Sequence, residues 1–370
     1  MIYDVAIIGA GASGVACALT LKKQKDINIV LLEQNDKILK KVLKTGNGKC
    51  NIFNRNIVKE MYNDNSLLKS VDLDKFFTDL GLLLKTDDMN RVYPNSETSS
   101  NVVNILLNSL QEKNIPIMTN YKVISVKKSE QYFVINGQEQ EAIKAKCVVM
   151  STGSKAQEKT NGYEILQSLN HQITPLREGL VSLITKEKTN HLKGIRVKCR
   201  YNGTGKEIDG EILFKENGLS GILAFDISRL ISDKEIVEFD LAPNLTDEEI
   251  NRQLNITSNL EIAVQGLFPK MLGLDVLKRC NNNRKEILNI IRHYRFNVVG
   301  RGSFDQAQIT LGGVKVNEVD QNFASKKTKG LFITGEVLDV DGACGGYNLY
   351  FAWMSGIISA RGIMTFLHNW

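Results

Sequence analysis

Apolar residues fill Val5–Ile8 without a break, so the run beginning at Tyr3 reads as a strand buried on both faces. Ala12 to about Lys25 then reads as a helix, and Ile27–Leu32 as a second apolar strand closing on Glu33. Strand, helix and strand in this order form the βαβ unit of a parallel, doubly wound sheet. Asp74–Leu80 predicts a short helix. Ser99–Asn114 predicts a longer one, with Val102, Val103, Leu106 and Leu110 on one face. Lys122–Lys127, Tyr132–Ile135 and Glu141–Lys144 are short β-patterned runs, with Asn136-Gly137 as the tight turn between the last two. Lys146–Ser151 is a further apolar strand, closing on Thr152-Gly153.

From about Leu180 to Leu241 the pattern stays β-like, with turn signals at Asn202-Gly203 and Asn217-Gly218. The texture changes at Thr246, where Thr-Asp-Glu-Glu opens a capping-box helix start, and helices continue to Tyr294. The chain ends in a buried strand at Gly330–Thr334, a Gly335-Glu336 turn, a glycine-rich loop over Asp341–Tyr347 and a helix from about Asn348 to Phe366. Alternating β/α, a β block, a helical block and β/α again mark an interrupted domain. The expected division is 1–176 with 301–370 as one discontinuous domain, 177–245 as a β-rich insertion and 246–300 as a helical insertion.

Composition changes this picture little. The 370 residues exceed what one hydrophobic core usually supports, and 42% hydrophobic with 24% charged residues is ordinary for a globular chain. A net charge of +6 is mild and its lysines are scattered, which argues for solvated faces over a nucleic-acid surface. No apolar run reaches the roughly 18 residues that span a bilayer. The first strand begins at once and leaves no room for a signal peptide. Six cysteines without C-x-x-C spacing and only four histidines give no zinc pattern and suit a reducing compartment. The expectation is a cytoplasmic protein with no metal and no membrane partner.

Candidate chemistry sits at the two ends of the chain. In Gly9-x-Gly11-x-x-Gly14 the first glycine permits a tight turn, the second admits a pyrophosphate to the backbone, and the third allows close helix–strand packing. Ala12 and Ser13 open the helix whose N–H groups would face the phosphates. Glu33, followed by Gln34, stands where an acid bonds adenosine ribose hydroxyls. That acid suits FAD or NAD rather than a 2′-phosphate. Three features favour FAD: the strand ending in Thr152-Gly153 after a small β-meander, the acid of Gly335-Glu336, and the helix starting near Tyr347-Asn348. The positive end of that helix would face a flavin edge that turns anionic on reduction. Lys44–Asn51 is no phosphate loop, because Leu43 stands where its first glycine belongs and Cys50 where its Ser or Thr belongs. Cys50 reads as a small packing residue or a reactive thiol.

Three stretches resemble one family of bacterial flavoproteins: Thr45-Gly-Asn-Gly-Lys-Cys-Asn51, Gly218-Leu-Ser-Gly221 after Leu213-Phe214, and Thr334–Asp341 with Gly345-Gly-Tyr-Asn348. Arg91–Pro94 and Ala307–Val314 fit the same pattern. These NAD(P)/FAD-dependent oxidoreductases include aminoacetone oxidase-type and bile-acid ene-reductase-type members. The resemblance implies an α/β, doubly wound (Rossmann-like) FAD-binding domain interrupted by a β-rich plus helical insertion, with FAD held non-covalently. It implies a cofactor lining of Gly9, Gly11, Ala12, Ser13, Gly14, Glu33, Gln34, Lys41, Thr45, Gly46, Asn47, Gly48, Cys50, Asn51, Val123, Thr152, Gly153, Gly335, Glu336, Gly345, Gly346, Tyr347 and Asn348. Two positions depart from the family pattern: Ser154 follows the second turn where glycine is commoner, and Lys49 replaces a frequent arginine.

The implied activity is hydride transfer between a small organic substrate and the flavin. A single dinucleotide fingerprint favours an amine or aminoacetone-type oxidase that returns electrons to oxygen and gives hydrogen peroxide. The alternative is an ene-reductase charged transiently by NAD(P)H, and an alternative of another class is a non-catalytic or RNA-associated flavoprotein. Tyr93, Tyr347 and Lys49 are candidate substrate contacts. No catalytic residue is assigned.

Overall fold

The computed structural model describes residues 1–24, 26–203 and 205–370, with the side chains of Asn47 and Lys206 outside the description. The chain divides into two compact units, Met1–Arg177 with Ile309–Trp370, and Glu178–Gln308.

The first unit opens with β1 (Ile2–Ile8) and α1 (Ala12–Leu21). The helix is shorter than its expected span, whose last residue, Lys25, lies outside the described residues. Every residue of α1 from Ser13 onward is buried, the condition of a helix covered on all sides. β2 (Ile29–Leu32) pairs parallel with β1, from Val5↔Ile29 to Ile8↔Leu32. Next come α2 (Lys40–Lys44) and a 3₁₀ turn at Thr45–Gly48. β3 (Phe53–Asn54), α3 (Leu73–Thr78), β4 (Leu84–Thr86) and β5 (Arg91–Pro94) follow. The strands β3-β5-β4 make a small antiparallel sheet. α4 (Ser99–Glu112) buries Val102, Val103, Leu106 and Leu110, the stripe its periodicity predicts.

β6 (Ile117–Met118) adds to β2, and β7 (Val123–Lys128), β8 (Phe133–Gly137) and β9 (Gln140–Met150) form the meander. Two sequence expectations need correction here. Glu141–Lys144 and Lys146–Ser151 are not separate strands: both fall in β9, apart from Ser151, which lies just beyond its end. The first half of β9 pairs antiparallel with β8, and its second half pairs parallel with β1. The hairpin turn lies after Asn136-Gly137, because Gly137 still pairs with Gln140 and Glu139 takes the left-handed conformation at φ 58°. α5 (Gly162–Ser168) and β10 (Arg177–Gly179) lead into the second unit.

The second unit holds a closed barrel in the order β11-β14-β13-β12-β15-β16. Its strands are β11 (Leu183–Thr185), β12 (Arg196–Gly203), β13 (Lys206–Lys215), β14 (Gly218–Ser220), β15 (Ile236–Asp240) and β16 (Tyr294–Arg301). β12 runs through the expected turn Asn202-Gly203, pairing Gly203 with Lys206; Thr204, between them, lies outside the described residues. The expected continuous β block contains a helix, α6 (Ile222–Leu230), entered through Gly221 at φ 92°. It buries Leu223, Ala224, Ile227 and Ser228, a helical spacing that the polar Ser228 obscures in the sequence. Helices α7 (Asp247–Leu254), α8 (Leu260–Gln265), α9 (Lys270–Arg279) and α10 (Arg284–Arg292) share one buried core with the barrel. The capping box at Thr246 is formed, with Glu249 reaching back to the Thr246 N–H.

The chain re-enters the first unit with β17 (Ile309–Leu311), β18 (Leu331–Ile333) and α11 (Tyr347–His368). β18 pairs parallel with the end of β9, giving a parallel layer β6-β2-β1-β9-β18. α11 packs along α1, and a Cβ on Gly356 would lie 2.2 Å from the Ser13 carbonyl oxygen. The last helix of the chain therefore rests on the first. Among the described residues no helix is long and apolar enough to cross a membrane.

Candidate functional site

The carboxyl ends of β1, β2, β9 and β18 lie on one edge of the parallel layer, where open α/β sheets bind their ligands. The three fingerprint glycines do different work there. Gly9 holds φ 100°, and a Cβ on it would lie 2.3 Å from the Ser151 carbonyl oxygen. Ser151 fixes that turn by donating its hydroxyl to Gly9 O at 2.8 Å. A Cβ on Gly14 would lie 2.1 Å from Gly9 O, so this glycine lets the helix close on the strand. Above Gly11 the Cβ direction is open space, with no atom within 4 Å. Gly11 is also the N-cap of α1 and supplies no side-chain cap, so the first-turn N–H groups from Ala12 and Ser13 await another acceptor. Bare backbone and an uncapped helix start together fit a pyrophosphate.

Glu33 is buried at the end of β2. Its Oε2 accepts the Ala10 N–H at 2.9 Å, while Oε1 accepts the Asn35 backbone N–H at 2.9 Å and the Asn35 amide at 2.8 Å. A carboxylate has about four acceptor sites, so lone pairs remain for ribose hydroxyls. Gln34 donates instead to Lys159 O at 2.8 Å.

Lys41 pairs with Glu336 at 2.9 Å across 295 residues of sequence and also donates to Ser154 Oγ at 3.2 Å. The other oxygen of Glu336 accepts the Thr310 N–H at 3.1 Å. Gly153 lies below this pair, its Cβ direction meeting only Lys41 Nζ at 3.9 Å, and Thr152 packs against Gly162. Gly335 approaches Ser13 so closely that a Cβ would stand 2.6 Å from its hydroxyl oxygen, which joins the C-terminal turn to the N-terminal fingerprint.

The Thr45–Asn51 loop reaches the C-terminal glycine loop. Thr45 donates its hydroxyl to Val42 O at 2.8 Å, and Gly46 lies against Asn51 and Tyr93. Gly48 faces open space. Asn47 belongs to the 3₁₀ turn, with its side chain outside the described residues. Asn51, with its amide oriented to satisfy both partners, donates to Phe53 O at 3.0 Å and accepts the Gly346 N–H at 3.1 Å. Asn54, which the sequence does not single out, is buried and donates to Gly345 O at 3.0 Å. Asn348 closes the loop from its other side, accepting the Gly342 N–H at 2.8 Å and donating to Gly342 O at 2.7 Å. Tyr347 receives the Tyr62 hydroxyl on its carbonyl at 2.8 Å, and the two rings meet edge-on at 5.8 Å. α11 likewise has no side-chain cap, its N-cap being Gly346 at φ 99°.

Three further expected residues have the following surroundings. Cys50 is fully buried in the core, and burial pushes its thiol up to about 11, which keeps it protonated at neutral pH. That favours packing over a reactive thiol. Val123 sits on β7, where its carbonyl accepts the Asn161 amide at 2.8 Å. Lys49 is exposed and paired with Glu97 at 3.0 Å. Sequence reasoning missed Asn54, Thr310 and Glu158, the last a half-buried acid whose pKa burial raises. The one available signal for Asn54 was its place three residues after Asn51, the end of the Thr45–Asn51 loop. Among the described residues no cluster of His, Cys, Asp and Glu could hold a metal ion.

A family profile described as "HI0933-like protein Rossmann domain" matches residues 3–362. A 3-dehydro-bile acid delta(4,6)-reductase of Clostridium scindens is 29% identical over 402 aligned positions, covering 96% of this chain and 98% of the relative. A ribosomal RNA dihydrouridine synthase of Escherichia coli is 28% identical over 398 positions, covering 98% of each. Among solved structures, a 3-ketosteroid-delta4-(5alpha)-dehydrogenase of Rhodococcus jostii aligns with a TM-score of 0.50 at 13% identity, over 98% of this chain and 96% of that one. That likeness is one of fold.

Proposed function

The chain belongs to the HI0933-like Rossmann family, and from this premise we propose that it is an FAD-dependent reductase of carbon–carbon double bonds conjugated to a carbonyl group. The observation that carries the reading is whole-length similarity to two relatives whose names describe one kind of reaction. A delta(4,6)-reductase and a dihydrouridine synthase both saturate a carbon–carbon double bond.

The geometry supports FAD as the cofactor. The crevice runs from Glu33 past the bare Gly11 backbone to Lys41, Glu336 and the Gly345-Gly346 loop, so a two-headed dinucleotide meets groups from both ends of the chain. Bound there and reduced by NAD(P)H, FAD would supply the hydride that the reaction needs. The protein's own task is to hold that group and set its charge. Gly11 and the start of α1 would hold the pyrophosphate, and Glu33 would accept from the ribose hydroxyls. Lys41 brings a positive charge that Glu336 keeps in place. The N-terminus of α11 adds a positive dipole end beside the glycine loop, which favours a negative charge there.

Oxidation of an amine with return of electrons to oxygen is the second reading. The second unit favours it, since among the described residues that unit is an antiparallel barrel with helices rather than another nucleotide-binding βαβ fold. The test is product analysis by mass spectrometry. Holoenzyme is supplied anaerobically with NADH or NADPH and a 4-ene-3-ketosteroid or a uridine-containing RNA, and aerobically with aminoacetone. Gain of two hydrogens by either alkene supports the reductase. Peroxide from aminoacetone with both alkenes untouched would sink it.

A further inference from the structure

Residues 154–161 form a strap across the nucleotide end of the crevice. It leaves β9 at Ser154, where Lys41 donates to the serine hydroxyl, and Ala156 N–H is held by Thr310 Oγ1 at 3.1 Å. It then reaches the end of β2, where Gln34 donates to Lys159 O at 2.8 Å. It returns to β7 through Asn161, bonded to Val123 O, before α5 begins. The sheet order is β2-β1-β9, so a segment joining the ends of β9 and β2 passes the end of β1, where the Gly9–Gly14 turn lies.

Glu158 sits in the middle of that strap. Its carboxyl is half-buried and, among the described residues, makes no hydrogen bond or ion pair. The charged groups around it are Lys41 and Glu33, then Lys40 and Lys44. Burial raises its pKa despite the three lysines. Its oxygens still reach solvent and take no donor from the described residues, so they are open to a donor group of a ligand. Glu33 and Lys41 are among its charged neighbours, and the strap carries it past the end of β1, over the path of the adenosine half of a dinucleotide.

We propose that Glu158 is a second acidic contact to the cofactor, accepting a hydrogen bond from the adenosine of FAD. The inference rests on the FAD reading above. It adds a strap residue that closes over the nucleoside.

The test is titration of FAD-free protein with FAD, followed by flavin fluorescence, and with AMP as a competitor. Glu158→Ala should weaken FAD about tenfold or more, the usual worth of a hydrogen bond to a charged acceptor. AMP should weaken in parallel. Glu158→Gln, which keeps an acceptor oxygen, should recover part of the loss. The thermal midpoint of FAD-free Glu158→Ala should be unchanged or higher, because the carboxyl has no protein partner to lose. Wild-type affinity for both FAD and AMP in Glu158→Ala would overturn the proposal. So would a fall in the FAD-free midpoint that accounts for the weaker binding. A wild-type protein that takes up no FAD would overturn the cofactor reading itself, an outcome distinct from the failure of Glu158 alone.

Discussion

Gly356→Ala tests whether the two ends of the chain depend on each other. On an ordinary helix this change stabilises by about 0.8–1 kcal/mol, because alanine has the higher helix propensity. Here the new Cβ would stand 2.2 Å from Ser13 O, 3.0 Å from Ser13 C and 3.1 Å from Cys17 N, all backbone atoms of α1. Backbone cannot rotate away as a side chain can, so α1 and α11 must separate. Overpacking of this kind costs about 1–3 kcal/mol, occasionally more. Less the propensity gain the net loss is about 0–2 kcal/mol, and in a unit of roughly 150–250 residues each kcal/mol moves the thermal midpoint by about 2–4 °C, so a fall of up to about 8 °C is expected. Ser13 also packs against Gly335, so FAD retention should fall as well. The assay is thermal unfolding of FAD-free protein beside an exposed control on the same helix, Arg361→Ala, which should stay within about 0.5 kcal/mol of wild type. A midpoint that rises in Gly356→Ala would show that the helices do not meet as described.

Gly11→Val should separate folding from binding, because its Cβ meets open space. Calorimetry of FAD-free protein should find a loss of no more than about 1–2 kcal/mol, the cost of a poorer N-cap, while titration finds FAD binding abolished. Iodoacetamide at neutral pH should label the half-exposed Cys344 and spare Cys17, Cys50, Cys147, Cys199 and Cys280, as peptide mass spectrometry can check. Burial raises all five spared thiols. His171 is buried between Glu318 and Ser325 and its pKa is lowered, burial outweighing the Glu318 carboxylate. The unfolded chain, with a pKa near 6.5, then binds the proton more readily than the folded one. This contribution is present above about pH 6.5 and lost as pH falls through the lower folded value. Denaturant unfolding should show a shallower loss of stability between pH 7 and pH 5 in His171→Gln than in wild type.

The ends of the chain were the legible part. An unbroken apolar strand, three spaced glycines and Glu33 specify the first βαβ unit locally, and the Gly335–Asn348 stretch specifies a turn, a loop and a helix in the same way. What local pattern could not supply was pairing across distance. Lys41 and Glu336 each stood out, but nothing in the sequence joins residues 295 positions apart into an ion pair. Barrel closure was hidden for the same reason, since Leu183 pairs with Arg301. α6 was missed because Ile222–Leu230 is short and Ser228 obscures its helical spacing, and packing decides it: Leu223 fills the space left by Gly210, where a Cβ would lie 2.9 Å away. Glu158 carries no motif at all, and only the course of the strap gives it a role.

Anaerobic double-mixing stopped flow tests the central claim most directly. Protein carrying FAD is first mixed with NADH or NADPH, and the reduced enzyme is then mixed with a conjugated enone or with oxygenated buffer, following the flavin absorbance throughout. The account expects the pyridine nucleotide to bleach the flavin and the enone to restore its colour faster than oxygen does. A flavin that NAD(P)H leaves oxidised, or a reduced enzyme that reacts rapidly with oxygen and is inert to every alkene, would contradict it.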